Sequence, residues 1–194
     1  MTIQIAPFSQ PIALIPSLPL ITGDDLALQG DIGPSELIKG KVVQAMPTGY
    51  LHGVIEFRFG KYLGLFLDDH DLGHLMGGEV GLYTARNPDT VRAADVAFIS
   101  HERFAQLKSH SYLDVAPELI VEVTSPDDRW QDIMDKLGEY FAIGVKLVWV
   151  VYPQRQQVHV YRSLTEIQIL KAADTLTAAE ILPGFSLTVG KLFK

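Results

Sequence analysis

The chain has 194 residues, 47% of them hydrophobic and 20% charged, which fits one globular domain with a substantial core and excludes a disordered chain. It contains no cysteine, which excludes disulfides, zinc–thiolate sites and cysteine nucleophiles and favours a cytoplasmic location. Its net charge of −7 argues against constitutive nucleic-acid binding unless a local basic patch or a bound cation assists.

The first 21 residues are apolar but contain four prolines, no basic start and no uninterrupted apolar run of helix length. This pattern predicts neither a signal peptide nor a membrane span. We predict an extended N-terminal arm over residues 1–21 and a single domain over residues 22–194. Because the arm has no evident place within the core, it could lie across a second subunit, and a closed homodimer is the expected assembly.

Apolar spacing and turn residues predict the elements of the N-terminal half. In chain order these are a short helix capped by Thr22, a hairpin at 35–46 turning at Lys39-Gly40, a helix at 50–67, and strands at 79–85 and 92–99 on either side of a turn at 87–90. The helix at 50–67 is predicted although three glycines weaken it. His70 and His74 could form a metal pair on a helix, but the glycines around them favour a polar loop.

Residues 117–152 are predicted to form a strand, a helix and a second strand. The run Leu119–Val123 is apolar and rich in β-branched residues, and it ends before a Ser-Pro pair. Residues 146–152 form a second apolar run. Two apolar strands joined by a helix predict a right-handed parallel crossover.

The helix between these strands is predicted from three signals. Asp127 and Asp128 could cap its start, where carboxylates accept hydrogen bonds from free N–H groups. Gly144 is a plausible C-cap. An apolar face is formed by residues that recur at every fourth position, Ile133, Leu137 and Phe141.

Further elements flank this unit, and together they set the fold class. A surface helix at 101–110 is predicted before it, and a hairpin strand at 157–162, a strand at 166–170 and a short tail are predicted after it. The order α–β–β–β–α–β, with extra strands at both ends, predicts an α/β fold with a mixed central sheet.

Glu122 does not fit a plain core strand. It interrupts the run Leu119–Val123, both faces of which are largely apolar, and an ionised carboxylate there is costly unless it is paired or bound to a metal. A buried ion pair and a metal ligand are therefore both open for Glu122. On the following helix, Lys136 shares a face with Asp132 and Tyr140, so the alternative to a functional lysine is a solvated Asp132–Lys136 pair.

A second acidic residue, Asp95, interrupts the apolar strand at 92–99. Mg²⁺ in proteins is typically held by one or two carboxylates and keeps several waters, so Asp95 and Glu122 are candidate ligands if their strands are neighbours. Lys136 could then orient a water or stabilise charge on a phosphate. Most proteins contain two acidic residues and a lysine, so this set alone is a weak signal of a metal site.

Four segments, in order from about residue 22 to the C-terminus, carry a resemblance to a known family. They are PSELIKGKVVQAMP, NPDTVRAADVAFIS, PELIVEVTSPDDRWQDIMDKLGEYFAIGVKLVWVVYP and LPGFSLTVGKLF. With them the chain resembles the putative restriction endonuclease family of bacterial proteins, a branch of the PD-(D/E)XK nuclease superfamily. The resemblance implies a restriction-endonuclease-like core of order α–β–β–β–α–β, in which helices and extra N- and C-terminal strands flank a mixed central sheet.

The resemblance also implies which residues form the site. Asp95 matches the first Asp of the motif, and Glu122 matches the acidic residue on the next strand. Thr124 occupies the usual position of the motif's lysine, and Lys136 matches the position on the following helix to which this family moves that role. Its ammonium is then expected to point toward Asp95 and Glu122. Ala94 stands where a proline commonly precedes the first Asp, a difference that concerns backbone shape rather than chemistry.

Two further residues, Glu36 and His52, lie at positions where the family tends to have Glu and His, and His52 is one helical turn before Glu56. The implied activity is hydrolysis of DNA phosphodiester bonds with Mg²⁺ or Mn²⁺ held by Asp95 and Glu122. Lys136 would position the attacking water, and Glu36 or His52 would complete the metal shell or contact phosphate.

Two alternatives to a DNA endonuclease stay open. One is a non-catalytic homodimeric module that keeps the nuclease fold, and the other is a metal-dependent hydrolase of another substrate. The presence of both acids and the lysine favours the nuclease. The net negative charge and the absence of a run rich in Lys and Arg weigh against it, unless the basic side chains cluster in the fold, namely Arg86, Arg92, Arg129 and Lys136.

Overall fold

A computed structural model of the protein describes residues 19–194. Most of the predicted arm therefore lies outside the described residues. The helices are α1 (Gly23–Leu28), α2 (Tyr50–Asp68), α3 (His101–Phe104) and α4 (Trp130–Ala142). The strands are β1 (Ser35–Ile38), β2 (Lys41–Gln44), β3 (Gly73–Ala85), β4 (Thr90–Ser100), β5 (Leu119–Val123), β6 (Leu147–Tyr152), β7 (Gln157–Tyr161), β8 (Ile167–Lys171), β9 (Thr175–Thr177) and β10 (Ser186–Thr188). None of the described helices is long and apolar enough to span a membrane.

An eight-stranded sheet forms the centre of the fold. Its strand order is β2-β1-β4-β5-β6-β7-β8, with β3 paired to β4, and β9 and β10 form a separate antiparallel pair. The pair β5–β6 is parallel and the other pairs of this sheet are antiparallel. The core order α2–β3–β4–β5–α4–β6 is the predicted α–β–β–β–α–β order, so the predicted mixed α/β fold class is confirmed.

The sheet is covered on both faces, as two-sided apolar strands require. Alternate residues of β6 enter two different core clusters: Trp149 packs with the α2 residues Phe59 and Leu63, whereas Val148 packs with Leu137 of α4. Helix α4 thus places its predicted apolar stripe on the sheet.

The ends of α4 are set by the turns beside it. Gly144 has a positive φ of 99°, and hydrogen bonds from Gly144 N to Phe141 O and from Val145 N to Tyr140 O close the last turn as a Schellman motif. The predicted cap is wrong by one to two residues, because Asp128 accepts from the Ser125 N–H at 2.8 Å and so belongs to the preceding turn. The helix begins after Arg129, which makes no side-chain cap.

Two other predicted boundaries are wrong because tertiary pairing outweighs local propensity. Strand β3 begins at Gly73 rather than at residue 79, since its glycine-rich start pairs with β4, and a bulge lies between Gly77 and Val80. Helix α3 ends at Phe104 rather than at residue 110, and the Asp114 carboxylate accepts from the N–H groups of Lys108 and Ser109 and holds them in a loop.

One side of β4 has a gap that positions the candidate site. On that side β1 pairs at Val91 and β5 pairs from Val96 onward. Among the described strands, none pairs on that side with the residues between, 92–95. The backbone of Ala93 faces the gap, where its N–H donates to Glu36 at 3.0 Å and its carbonyl accepts from Lys136 at 3.2 Å. Side chains therefore satisfy backbone groups that a strand would otherwise pair.

Candidate active site

All five residues proposed from the sequence border one cavity of about 630 Å³, which opens beside the gap in β4; they are Glu36, His52, Asp95, Glu122 and Lys136. They come from β1, α2, β4, β5 and α4. In the cavity wall these residues form two neighbouring groups. The first group is centred on Lys136 and the second on His52.

Lys136 is the centre of the first group. Its ammonium Nζ lies 3.2 Å from Glu122 Oε2 and 3.0 Å from Glu36 Oε1. Asp132, the alternative partner, is bound by Arg129 instead. The Lys136 side chain is 24% exposed, so the ammonium lies among carboxylates at the edge of the cavity rather than in bulk water.

Glu122 is held by two side chains from one face of α4. Tyr140 donates its hydroxyl to Glu122 Oε1 at 2.6 Å, while Lys136 binds Oε2. This side chain is 16% exposed. The helix face that Lys136 and Tyr140 share therefore points at Glu122. The Glu122 carboxylate is bound by both side chains and still borders the cavity.

Arg92 binds two carboxylates beside this first group. Its guanidinium binds Glu139 of α4 with two hydrogen bonds, at 2.7 and 2.6 Å, and Glu36 of β1 with a third at 2.9 Å. The bidentate arrangement is the strong geometry for an Arg–carboxylate pair. Arg92 thereby ties the β1–β2 hairpin to α4 and supplies a second cation beside Glu36.

His52 is the centre of the second group. Its Nε2 lies 3.2 Å from Asp95 Oδ2, and its Nδ1 lies 3.9 Å from Glu56 Oε2. Asp95 also accepts from the Val123 N–H at 2.6 Å, which fixes the carboxylate at the end of β5. Asp95 consequently stands between the two groups, on β4, while Glu122 lies one residue before Val123 on β5.

The environment changes the pKa values of both groups. Burial raises the pKa of Glu122 to about 7, and Asp95 and Glu36 add to this while Lys136 and Tyr140 oppose it. Burial would also raise the pKa of Glu36, but Lys136, the Ala93 N–H and Arg92 outweigh burial and lower it. Burial would lower the pKa of Lys136, yet Glu122 and Glu36 raise it, so Lys136 stays charged.

The pKa of His52 follows the same logic. Burial would lower it, but the hydrogen bond to Asp95 and the charges of Asp95, Glu56 and Glu122 raise it above its ordinary value. Burial, with the charge of Asp95, raises the pKa of Glu56. Excess negative charge is thus concentrated around the imidazole.

A metal ion fits the donor atoms of the second group. One ligand atom from each of His52, Glu56 and Asp95 lies within 4.8 Å of the others, so this buried His/Glu/Asp group could bind a metal. An imidazole nitrogen with two carboxylates is a suitable ligand set for a divalent cation. Glu56 was not among the residues selected from the sequence, although its spacing of one turn from His52 was visible there.

The other histidines considered in the sequence lie elsewhere. His74 is in β3, where its ring packs against His101 and Phe104, and His70 contacts the Phe66 carbonyl through Nδ1 at 2.8 Å. Within residues 19–194, neither belongs to a group of ligands spaced for a metal.

Residues 24–190 match the model of the Uma2 family, whose description is "Putative restriction endonuclease". The chain belongs to this family. The match covers most of the chain, including the gap in β4 and both groups of site residues. The resemblance drawn from the four sequence segments is confirmed.

A solved structure supports the same fold for this Uma2 chain. It is a crystal structure of "a putative nuclease belonging to DUF820" from Anabaena variabilis ATCC 29413, with a TM-score of 0.74 and 20% sequence identity. The likeness covers 90% of this chain and 98% of that one. The search of curated proteins found no match.

Proposed function

We propose that this chain is a metal-dependent endonuclease that hydrolyses phosphodiester bonds of DNA, through a site built on one domain over residues 22–194. Membership of a restriction endonuclease family supports the reaction class. The observation that carries the proposal is the position of Lys136, whose ammonium lies 3.2 Å from Glu122 on a cavity that Asp95 also lines. A cytoplasmic location accords with the absence of cysteine.

In the proposed site, Asp95 and Glu122 would hold Mg²⁺ or Mn²⁺ from neighbouring strands. When bound, such a cation would polarise the scissile phosphate and make a nucleophilic water available near neutral pH. The protein's own residues would position the metal-binding carboxylates and the reacting groups. Tyr140 and Val123 N–H orient the two carboxylates, and Lys136 places a fixed positive charge where a phosphate or attacking water would lie.

The charge around the cavity makes a cation necessary for this reaction. Its lining contains many carboxylates but only Lys136 as a permanent cation. Arg92 is committed to Glu36 and Glu139, Arg129 to Asp132, and Arg86 to Asp89. The basic side chains therefore do not form an unpaired patch in the described fold, and a DNA backbone could approach only once bound cations reduce the negative charge.

Asp95→Asn is expected to reduce metal-dependent DNA cleavage by roughly 100-fold or more, because it removes the proposed metal-binding charge. The amide oxygen can still accept from Val123 N–H, so the fold should be retained. The measurement is nicking and linearisation of supercoiled plasmid, together with linear duplex and single-stranded DNA, in Mg²⁺ and in Mn²⁺. Asp71→Asn is the matched control, since Asp71 is exposed and pairs with His101 outside the cavity.

The same assay separates the two alternatives. In the described fold Lys136 and Tyr140 already satisfy Glu122, as a purely structural ion pair would require. A non-catalytic module predicts no cleavage of any DNA form by the wild type. A hydrolase of another substrate predicts metal-dependent cleavage of a small phosphodiester, lost in Asp95→Asn, with DNA left intact. Equal DNA cleavage by wild type and Asp95→Asn would contradict the proposed site.

We also propose that the chain forms a homodimer through the outer face of α2. On the face of α2 opposite the core Tyr50 and Phe57 are 88% and 75% exposed, and large apolar side chains exposed together are typical of an interaction surface. Gly53, Gly60 and Gly64 leave open space beside them. Two antiparallel copies of α2 could insert the large rings of one into the glycine gaps of the other, which makes the face self-complementary.

Phe57→Glu is expected to shift the dimer–monomer midpoint to a concentration at least about 30-fold higher, since a charge would replace a central aromatic anchor. The measurement is light scattering on the full chain across a concentration series. Leu28→Glu is the control, because Leu28 is equally exposed but lies on α1. A wild-type chain that is monomeric at every concentration, or an unchanged midpoint in Phe57→Glu, would end the proposal.

A further inference from the structure

A second cavity adjoins the candidate site, between helix α4 and the β1–β2 hairpin. Its volume is about 380 Å³. Glu36, Glu122 and Lys136 line both cavities, so the two meet at the first group of site residues. The larger cavity extends from there to Asp95 and His52, and the smaller one does not. The proposed reaction leaves this second cavity unused.

Apolar side chains from both elements line the second cavity. The hairpin register pairs Glu36 with Val43 and Ile38 with Lys41, so these four side chains lie on one face of the hairpin. Ile38 and Val43 line the cavity from this face, and Ile133 lines it from α4. Val43 is exposed, so an apolar surface lies open beside the charged cluster.

The polar groups of the second cavity are mainly acceptors of hydrogen bonds. Asp128 and Asp135 belong to its lining, and each uses one oxygen within the fold, to accept from the Ser125 N–H and from the Gln131 amide. The second oxygen of each carboxylate can accept from a ligand. Acidic side chains outnumber Lys and Arg in this lining, which disfavours a phosphate there and favours a neutral group that carries N–H donors.

We infer that the second cavity binds one unpaired nucleobase of a DNA strand whose phosphate lies beside Lys136, so that the preferred substrate is single-stranded DNA or DNA with unpaired bases. The inference rests on the proposed function for the position of that phosphate. A base is planar and apolar on both faces, and its exocyclic amino group can donate to a carboxylate. The volume lies in the range of roughly 300–1,000 Å³ that is usual for a small-ligand site, and it is too small for stacked base pairs.

The charge of the fold favours the same substrate. Binding of duplex DNA depends mainly on contacts of Lys and Arg with phosphates. At this cavity, however, Arg92 is bound to Glu36 and Glu139, and Arg129 is bound to Asp132. Apolar contact with a base supplies affinity without positive charge. An unpaired base also avoids the free-energy cost of leaving a duplex.

The test is binding of fluorescently labelled DNA to the full chain, measured by anisotropy with Ca²⁺ in place of Mg²⁺. The wild type is expected to bind a single-stranded oligonucleotide at least about tenfold more tightly than the duplex of the same sequence. It should bind the same strand made of abasic nucleotides at least about tenfold more weakly, because that strand keeps the phosphates and lacks the bases. This comparison requires no variant of the protein.

Val43→Glu tests whether the base lies in the second cavity. The readout is the ratio of the affinities for the normal and the abasic strand, because a general effect of the new charge on DNA binding changes both affinities alike. This ratio should fall toward one when a carboxylate replaces the apolar side chain of the cavity wall. Val42→Glu is the matched control, since Val42 is also exposed but pairs with Leu37 on the opposite face of the hairpin. It should leave the ratio unchanged.

The outcomes separate this inference from the proposed activity. Equal affinity for single strand and duplex, or for normal and abasic strand, would overturn the inference even if the chain cleaved DNA. An unchanged ratio in Val43→Glu would overturn it as well, and so would a wild type that binds no DNA. A preference for the normal single strand that Val43→Glu removes and Val42→Glu keeps supports the inference, even if no form of DNA is cleaved.

Discussion

Replacing Lys136 with Met is expected to reduce metal-dependent DNA cleavage by roughly 100- to 1,000-fold, the usual effect of removing one charge-stabilising donor from an active site. Met keeps an unbranched apolar stem of similar length and removes the ammonium. The lost group is the one that lies 3.2 Å from Glu122 and 3.0 Å from Glu36 at the cavity wall. The measurement is the single-turnover rate of plasmid nicking at saturating metal.

The same substitution should also lower the free energy of unfolding. Without Lys136, Glu122 keeps Tyr140 as a partner and Glu36 keeps Arg92 and the Ala93 N–H. The two carboxylates lose their shared cation, and breaking a buried ion pair costs roughly 3–5 kcal/mol. Protonation of Glu122 relieves part of this, so the loss should be larger at pH 8 than at pH 6. Denaturation at the two pH values measures it.

Lys146→Met provides the control, because Lys146 follows the same helix but is exposed. It should change neither the cleavage rate nor the stability. If Lys136→Met cleaves DNA at the wild-type rate, Lys136 is a structural partner of Glu122 and has no part in the reaction.

The free energy of unfolding should fall as the pH rises from about 5 to 8 in metal-free buffer. Glu122 has a pKa of about 7 in the folded protein against 4.5 when unfolded, so the folded state binds the proton more tightly and loses stability as that proton leaves. A shift of this size corresponds to roughly 3 kcal/mol. His52, whose pKa is raised, acts in the same direction, because its stabilisation is lost as the pH passes its folded pKa.

Glu122→Gln should remove most of this slope, since an amide does not titrate. Glu36 acts in the opposite sense, but its lowered pKa confines its effect to pH values below its ordinary range. Chemical denaturation at pH 5, 6, 7 and 8 provides the measurement for both proteins. Saturating Mn²⁺ should stabilise the wild type most at high pH, because binding favours the ionised carboxylates. Stability that rises with pH over this interval would falsify the assignment of the titration to Glu122.

The sequence was most informative where local periodicity and tertiary packing agree. The parallel crossover could be predicted because β5 and β6 are apolar on both faces and α4 has an apolar stripe of fixed spacing. The hairpin β1–β2 follows from Lys39 and Gly40, which both adopt the positive φ that its tight turn requires. Thr22 forms the predicted cap, with Asp25 completing a capping box.

Features that depend on partners distant in sequence could not be predicted. The glycine-rich start of β3 is a strand only because β4 supplies its hydrogen-bond partners. Glu56 is a potential ligand only because Asp95 approaches His52 from another element. The pairing of Arg92 with Glu36 and Glu139 joins residues about 50 positions apart, a separation at which spacing in the sequence carries no geometric information.

The parallel pairing of β5 with β6 determines when the charged cluster can first exist. Glu122 has Val150 of β6 as its cross-strand neighbour, and Lys136 lies on the helix that joins the two strands. While the chain is being synthesised, Asp95 and Glu122 therefore remain ordinary hydrated carboxylates until residues beyond 150 have emerged and the crossover can close. The desolvation of these acids then coincides with completion of the central sheet. A nascent or truncated chain would contain the same residues but not the buried charged cluster that they form in the complete fold.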